Sequence, residues 1–263
     1  MGLLDGKTVI VSGIGPGLGQ QLAVLAAAEG ARLAICARTP AKLDAAEAAI
    51  RERGLDTAVL QCAADVRDRA QCRALVDRTI ERFGAIDVLF NSAYVTGGYA
   101  LAHEADLDDW RATLETNFFG AMNLIQLVLP AMIAAGGGSI VNVNTKVTRL
   151  PYPTMGGYAV SKAALRMATA QLAKEVSGLG IRVNSVFPGW MWGPTVEAGL
   201  ARQAEAEGRS LADLRAEIAS NIPIGDIPED RACAKAIVAL ASDYFAVVTG
   251  ACLDLSGGEY LPL

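Results

Sequence analysis

Short β-branched, apolar runs alternate along this chain with longer stretches in which apolar residues recur at helical spacing. The short runs, at 7–12, 32–36, 57–62, 86–90, 139–143, 182–187 and 251–255, read as strands. The longer ones, at 18–29, 41–53, 68–83, 108–134 and 157–177, read as helices. The strands are apolar almost throughout, as they are when helices cover both faces of a parallel sheet. Strand–helix alternation implies βαβ units with right-handed crossovers. The expected architecture is α/β: a doubly wound, mostly parallel, seven-stranded sheet with helices on both faces, in one domain over 1–263. One stretch breaks the rhythm. No strand appears over 190–228, and 197–220 is polar and helix-prone. Such an excursion after a late strand reads as a substrate lid, with a plain surface helix as the alternative.

Bulk properties narrow the partners. At 52% apolar, the 263 residues supply a substantial core and leave no case for disorder. No uninterrupted apolar run reaches the roughly 18 residues that span a bilayer. The best, 121–135, is broken by Asn123, Gln126 and Pro130. The N-terminus lacks the basic-then-apolar pattern of a secretory signal, so a cytoplasmic location is expected. The formal charge of −5 and the lack of a long basic run argue against nucleic acid as the main partner. The five cysteines are scattered with no CxxC pair, so neither a disulfide framework nor a zinc site is expected.

The first strand runs into Ser12-Gly13-Ile14-Gly15-Pro16-Gly17-Leu18-Gly19, which opens the first helix. Glycines there let the backbone turn sharply and approach a pyrophosphate, and the helix N-terminus offers free N–H groups to the anion. Gly13, Gly17, Leu18 and Gly19 are the candidate residues for a dinucleotide, although their spacing differs from G-x-G-x-x-G. The second strand ends in Cys36-Ala37-Arg38-Thr39. No acidic residue stands there to bind a ribose 2′-hydroxyl, and Arg38 is placed to accept a 2′-phosphate. NADP(H) is therefore favoured, with NAD(H) the alternative.

Tyr158-Ala159-Val160-Ser161-Lys162 puts a phenol and an ammonium on one helical face. A free tyrosine titrates near 10, and a nearby cation favours its ionised form. The spacing is common by chance. Its position after the fifth strand of a nucleotide-binding pattern makes it a candidate acid/base pair.

Together these motifs resemble the short-chain dehydrogenase/reductase family in its compact single-domain form. The resemblance runs from about Leu4 to the C-terminus. It covers the glycine turn, Asp65-Val66, Asn91-Ser92-Ala93-Tyr94, Asn117, Tyr158, Lys162, Pro188-Gly189 and Asp254-Leu255-Ser256-Gly257-Gly258. It implies a Rossmann-like fold and an NAD(P)-dependent exchange of hydride between a secondary alcohol and a ketone. Tyr158 would transfer the proton, Lys162 would bind the nicotinamide ribose and lower the tyrosine pKa, and Asn117 would hold a relay water. Asp65, Val66, Asn91, Ala93, Pro188 and Gly189 would line the cofactor site. It also implies a homotetramer (or homodimer) built on helices near 108–134 and 157–177 and on the C-terminal 260–263.

Several positions depart from the family pattern. Thr145 stands where a substrate-orienting serine is usual. It keeps the hydroxyl but adds a methyl group; neighbouring Asn144 is the alternative, which strand alternation points to the other side. Tyr94 replaces a glycine and either lines the pocket or packs on nearby loops. Lys146 reads as an exposed loop lysine, with an anionic substrate contact as the alternative. Tyr94, Val95, Thr96, Val147, Tyr152, Trp190, Met191 and Trp192 are candidate walls, and their aromatic content suits a bulky apolar substrate. Either tryptophan could instead anchor the lid or a subunit contact. Carrier-linked acyl substrates are disfavoured because 130–138 offers no basic patch. The rival readings are a catalytically weak nucleotide-binding sensor or scaffold of the same fold, and a fold relative performing elimination or dehalogenation without nicotinamide.

Overall fold

The computed structural model describes residues 2–262; of the expected interface segment, Leu263 lies outside the described residues. The strands are β1 (Thr8–Ser12), β2 (Arg32–Ala37), β3 (Val59–Ala63), β4 (Val88–Asn91), β5 (Gly138–Val143), β6 (Ile181–Pro188) and β7 (Cys252–Leu255). The first six elements of helix are α1 (Leu18–Ala28), α2 (Pro40–Arg51), α3 (Arg69–Phe83), α4 (Leu107–Leu114), α5 (Gly120–Ala134) and α6 (Gly156–Val176). Then come α7 (Pro194–Glu207), α8 (Leu211–Ala219) and α9 (Asp230–Ala241). The seven strands form one sheet in the order β3-β2-β1-β4-β5-β6-β7, and every pairing is parallel.

Alternation along each strand feeds two cores. Val9 and Val11 join a layer with α1, α2 and α9, while Ile10 joins the opposite layer with α3, α5 and α6. This is the doubly wound, Rossmann-like fold that the alternation pattern implies. The chain runs outward from β1 to β3 and returns to β4 on the other side of β1. That reversal opens a crevice at the carboxyl ends of the strands, where such sheets bind ligands.

Three local features differ from the sequence reading. The strands expected at 57–62 and 86–90 begin at Val59 and Val88. Helix α9 occupies a stretch with no assigned element. Its buried face, Cys233, Ala234, Ile237, Val238 and Ala241, packs on the Ala-rich α1. The helix expected at 108–134 is continuous but carries a wider π turn at Glu115–Phe119. By length and composition this helix, Leu107–Ala134, is apolar enough to cross a membrane, contrary to the expectation that no segment is. In the fold, its Leu124, Ile125, Val128 and Met132 are buried against the sheet.

The excursion between β6 and α9 forms α7 and α8. Its base is pinched by Trp192 N–H donating to Pro228 O at 2.7 Å and Asp230 N–H donating to Trp192 O at 2.9 Å.

Candidate active site

One cleft of about 760 Å³ lies along the carboxyl ends of β1, β2, β4, β5 and β6. On the β1–β2 side its wall is mostly backbone. A Cβ on Gly13 would sit 2.2 Å from the Ala93 nitrogen, so only glycine lets β1 and β4 close there. Gly17, at φ 136° and ψ −140°, turns the chain into α1 in a conformation that side chains rarely permit. No side chain caps α1, whereas Asp106 and Asp68 cap α4 and α3. The N–H groups of Leu18 and Gly19 at the start of α1 thus face the cleft without a local acceptor, which suits a pyrophosphate. Arg38 and Thr39 follow β2 into the same wall, and so does Lys42 in the first turn of α2. Asp65, Val66 and Ala93 complete this side. Arg67 grips both oxygens of Asp65 at 3.1 and 2.6 Å, and this pairing holds the carboxyl below its ordinary pKa. These residues fit a dinucleotide.

Asn91 does not line the cleft. It is buried, donating to Asn142 Oδ1 at 2.9 Å and accepting from the Ser12 hydroxyl at 3.4 Å. Asn142 Nδ2 in turn donates to Thr169 Oγ1 at 2.9 Å. This polar seam ties β1, β4, β5 and α6 beneath the cleft.

The helix α6 starts close against α4 because Gly156 and Gly157 lie under the Trp110 indole, where a Cβ on Gly157 would be 2.9 Å from the ring. That contact places Tyr158 at the cleft with Lys162 one turn behind. Lys162 is 1% exposed and donates to Val143 O at 2.7 Å. Burial pushes its ammonium down to about 7. Burial also pushes the Tyr158 phenol well above its ordinary range; nearby Tyr94 adds to this, and the neighbouring Thr145 side chain opposes it. In the protein alone, then, desolvation outweighs any help from Lys162, and Tyr158 is held neutral.

Thr145 and Asn144 separate as strand alternation requires. Thr145 meets Tyr158, while Asn144 Nδ2 donates to Ser185 Oγ at 2.8 Å on the other side. Asn117 lies in the π turn, fully buried. Its side chain accepts from Val95 N at 2.8 Å and donates to Val95 O at 2.8 Å and Ser161 Oγ at 2.9 Å. The side-chain amide thus braces the β4 loop against α6.

Tyr94, Thr96, Pro188, Gly189, Trp190 and Met191 line the cleft beyond Tyr158. The Tyr94 ring lies 6.1 Å from that of Tyr158. Tyr152 and Trp192, expected as walls, lie outside this lining. Trp192 stacks under the Arg215 guanidinium at 4.2 Å, and Arg215 pairs with Asp226 at 2.7 Å, so this indole anchors α8. Tyr152 donates its hydroxyl to Glu259 at 3.2 Å. Lys146 is not an exposed lysine: it is 5% exposed and ion-paired with Glu259. Val95 and Val147 are likewise absent from the lining.

Lys42, Tyr99, Met155 and Asp230 are among the lining residues that the sequence pattern did not single out. Lys42 carried a signal, a basic residue one turn beyond Arg38. Tyr99 and Met155 carried none, because a pairing between Ala100 and Met155 brings them together from distant loops. Asp230 opens α9 near Gly17, and burial raises its carboxyl.

Comparison with known proteins agrees with this geometry. The family model for short chain dehydrogenases matches residues 7–204. This chain belongs to the short-chain dehydrogenase/reductase family. It is 34% identical over 256 residues to the 3-oxoacyl-(acyl-carrier-protein) reductase of Thermotoga maritima, covering 97% of this chain and 98% of that protein. Its structure superposes on L-sorbose reductase from Gluconobacter frateurii, complexed with NADPH and L-sorbose, with a TM-score of 0.94, 28% identity and full coverage of both chains. NAD+-bound xylitol dehydrogenase superposes with a TM-score of 0.88 at 28% identity, covering 97% of this chain and 99% of that one. The protein is thus an oxidoreductase acting on CH–OH and C=O groups of small molecules, with NAD(P)(H) as the family's cofactor.

Proposed function

We propose that this enzyme interconverts a bulky, largely apolar ketone and its secondary alcohol, with NADP(H) as the preferred cofactor. The observation that carries the reading is the convergence of the Thr145 hydroxyl, the Tyr158 phenol and Lys162 in one cleft that also holds Arg38 and Lys42. The two cations suit a 2′-phosphate, with no carboxylate at the end of β2 to repel it. Tyr94, Tyr99, Met155, Trp190 and Met191 suit an apolar substrate.

A bound reduced nicotinamide supplies the hydride. Thr145 donates a hydrogen bond that orients the ketone oxygen, and Tyr158 gives that oxygen its proton. Burial keeps Tyr158 protonated and ready for this step. Lys162, anchored on Val143 O, restores positive charge beside the emptied phenolate. Helices α7 and α8 act as the lid over the substrate end. Phe119, Ile133, Val160 and Met167 are exposed on and beside α5 and α6, and they support a homotetramer on these helices, to be checked by light scattering.

The test follows absorbance at the nicotinamide band with NADPH or NADH. The panel holds bulky cyclic ketones, keto-sugars and a 3-oxoacyl thioester on acyl carrier protein. Turnover of cyclic ketones, with kcat/KM about tenfold higher for NADPH than for NADH, is expected. Preference for the carrier thioester or a sugar would overturn the substrate class. Binding of NADPH with no turnover would favour the sensor reading.

A further inference from the structure

We infer that the segment 254–260 is a clamp that sets the Thr145 hydroxyl against Tyr158, with Glu259 and Asp254 as positioning residues. The inference rests on the proposed role of Thr145. Strand β5 ends at Val143, so Thr145 stands beyond the ladder, at the entrance to a single 3-10 turn, Lys146–Thr148. That turn and its next residue carry a buried cation, Lys146, and a half-buried one, Arg149, and the C-terminal segment answers both. Lys146 pairs with Glu259, with their side chains 7% and 10% exposed. Arg149 meets Asp254 at 3.4 Å, both side chains 13% exposed, and lies 4.2 Å over the Phe187 ring.

Buried pairs are poor sources of net stability, because desolvation offsets attraction; what they fix is position. Glu259 Oε2 is buried without a hydrogen-bond partner, so the carboxylate is held through its other oxygen alone. The Lys146 ammonium also lies 5.5 Å from the Trp190 ring. One carboxylate thereby sets both the orienting hydroxyl and a wall of the cleft.

The test uses Glu259→Gln in the NADPH-loaded enzyme with the best ketone of the panel. Expected results are a kcat lower by about tenfold, NADPH affinity within about twofold, and no further loss when Glu259→Gln is added to Thr145→Val, as for a residue acting through one group. Hydrogen exchange at amides 146–150 should quicken about tenfold while α6 is unchanged. Losses that multiply with Thr145→Val, or unchanged exchange at 146–150, would overturn the clamp. If Glu259→Gln does not fold, Lys146→Met/Glu259→Leu removes both charges at similar volume; a wild-type kcat in that variant overturns the assignment. The exchange arm needs no turnover, so it judges the clamp even if every ketone fails and the proposed function falls.

Discussion

The two ends of the cleft are built from different materials. The β1–β2 side is largely backbone: Gly13 lets two strands close, Gly17 turns the chain, and an uncapped helix offers its N–H groups. The side beyond Tyr158 is made of side chains from loops far apart in sequence, Tyr94, Tyr99, Met155, Trp190 and Met191, backed by two ion pairs shielded from solvent. The first design is local and admits few residue types. The second is assembled by tertiary contacts and changes with any of its loops. A family can therefore keep its cofactor chemistry while its substrates diverge.

Tyr158 stands at the seam, and its removal should break the two ends apart most completely. Tyr158→Phe deletes the proposed proton donor and keeps the ring. Loss of general acid–base catalysis lowers rates by roughly 10²–10⁴-fold. The expected outcome is a kcat reduced in that range, with the NADPH Kd changed by less than about threefold in fluorescence titration. A kcat within tenfold of wild type would mean that another group carries the proton.

The same contrast explains what could be read in advance. The sheet, the glycine turn and the Tyr158–Lys162 pair were legible because each rests on short-range pattern: alternation, a strand-to-helix glycine run, a four-residue helical step. Arg38 was legible for the same reason. Lys146 was misjudged because only Glu259, at the other end of the chain, makes its burial tolerable. Tyr99 and Met155 depend on the pairing of Ala100 with Met155. Trp192 and Trp190 are nearly adjacent in sequence, yet one anchors α8 and the other lines the cleft. Only the fold separates them. Asn117 was found by motif, but what its side chain does was set by Val95 and Ser161.

A change confined to the backbone-built end should alter cofactor choice and nothing else. Arg38→Ala/Lys42→Ala removes both cations beside the ribose position. The ratio of kcat/KM for NADPH over NADH should fall by about 10–100-fold, or roughly 1.4–2.7 kcal/mol. The ranking of ketones with the remaining cofactor should not change. A reordered ranking would show that the two ends are coupled.

The pH profile sharpens the seam itself. Burial raises Tyr158 and lowers Lys162 to about 7. Ketone reduction needs the neutral phenol, which persists across the accessible range, and the charged lysine, which is lost as pH rises through about 7. Reduction should therefore be flat at low pH and decline severalfold above about 7. Alcohol oxidation needs the ionised phenol and should climb toward alkaline pH. A reduction rate that rises between pH 7 and 9 would contradict the lowered Lys162.

The smallest expected effects lie in the substrate end and separate its two tryptophans. Trp190→Phe trims a cleft wall, and its KM for a bulky ketone should rise about threefold to tenfold with the NADPH Kd unchanged. Trp192→Phe keeps an aromatic face for Arg215 and lies outside the cleft, so its KM should stay within about twofold. Its effect should appear instead as faster proteolysis within α7 and α8, because the indole closes the base of that excursion through Arg215. Equal effects of the two substitutions on KM would mean that α8 moves with the substrate wall. The substrate end would then be a single mobile unit rather than a fixed wall beside a separate anchor.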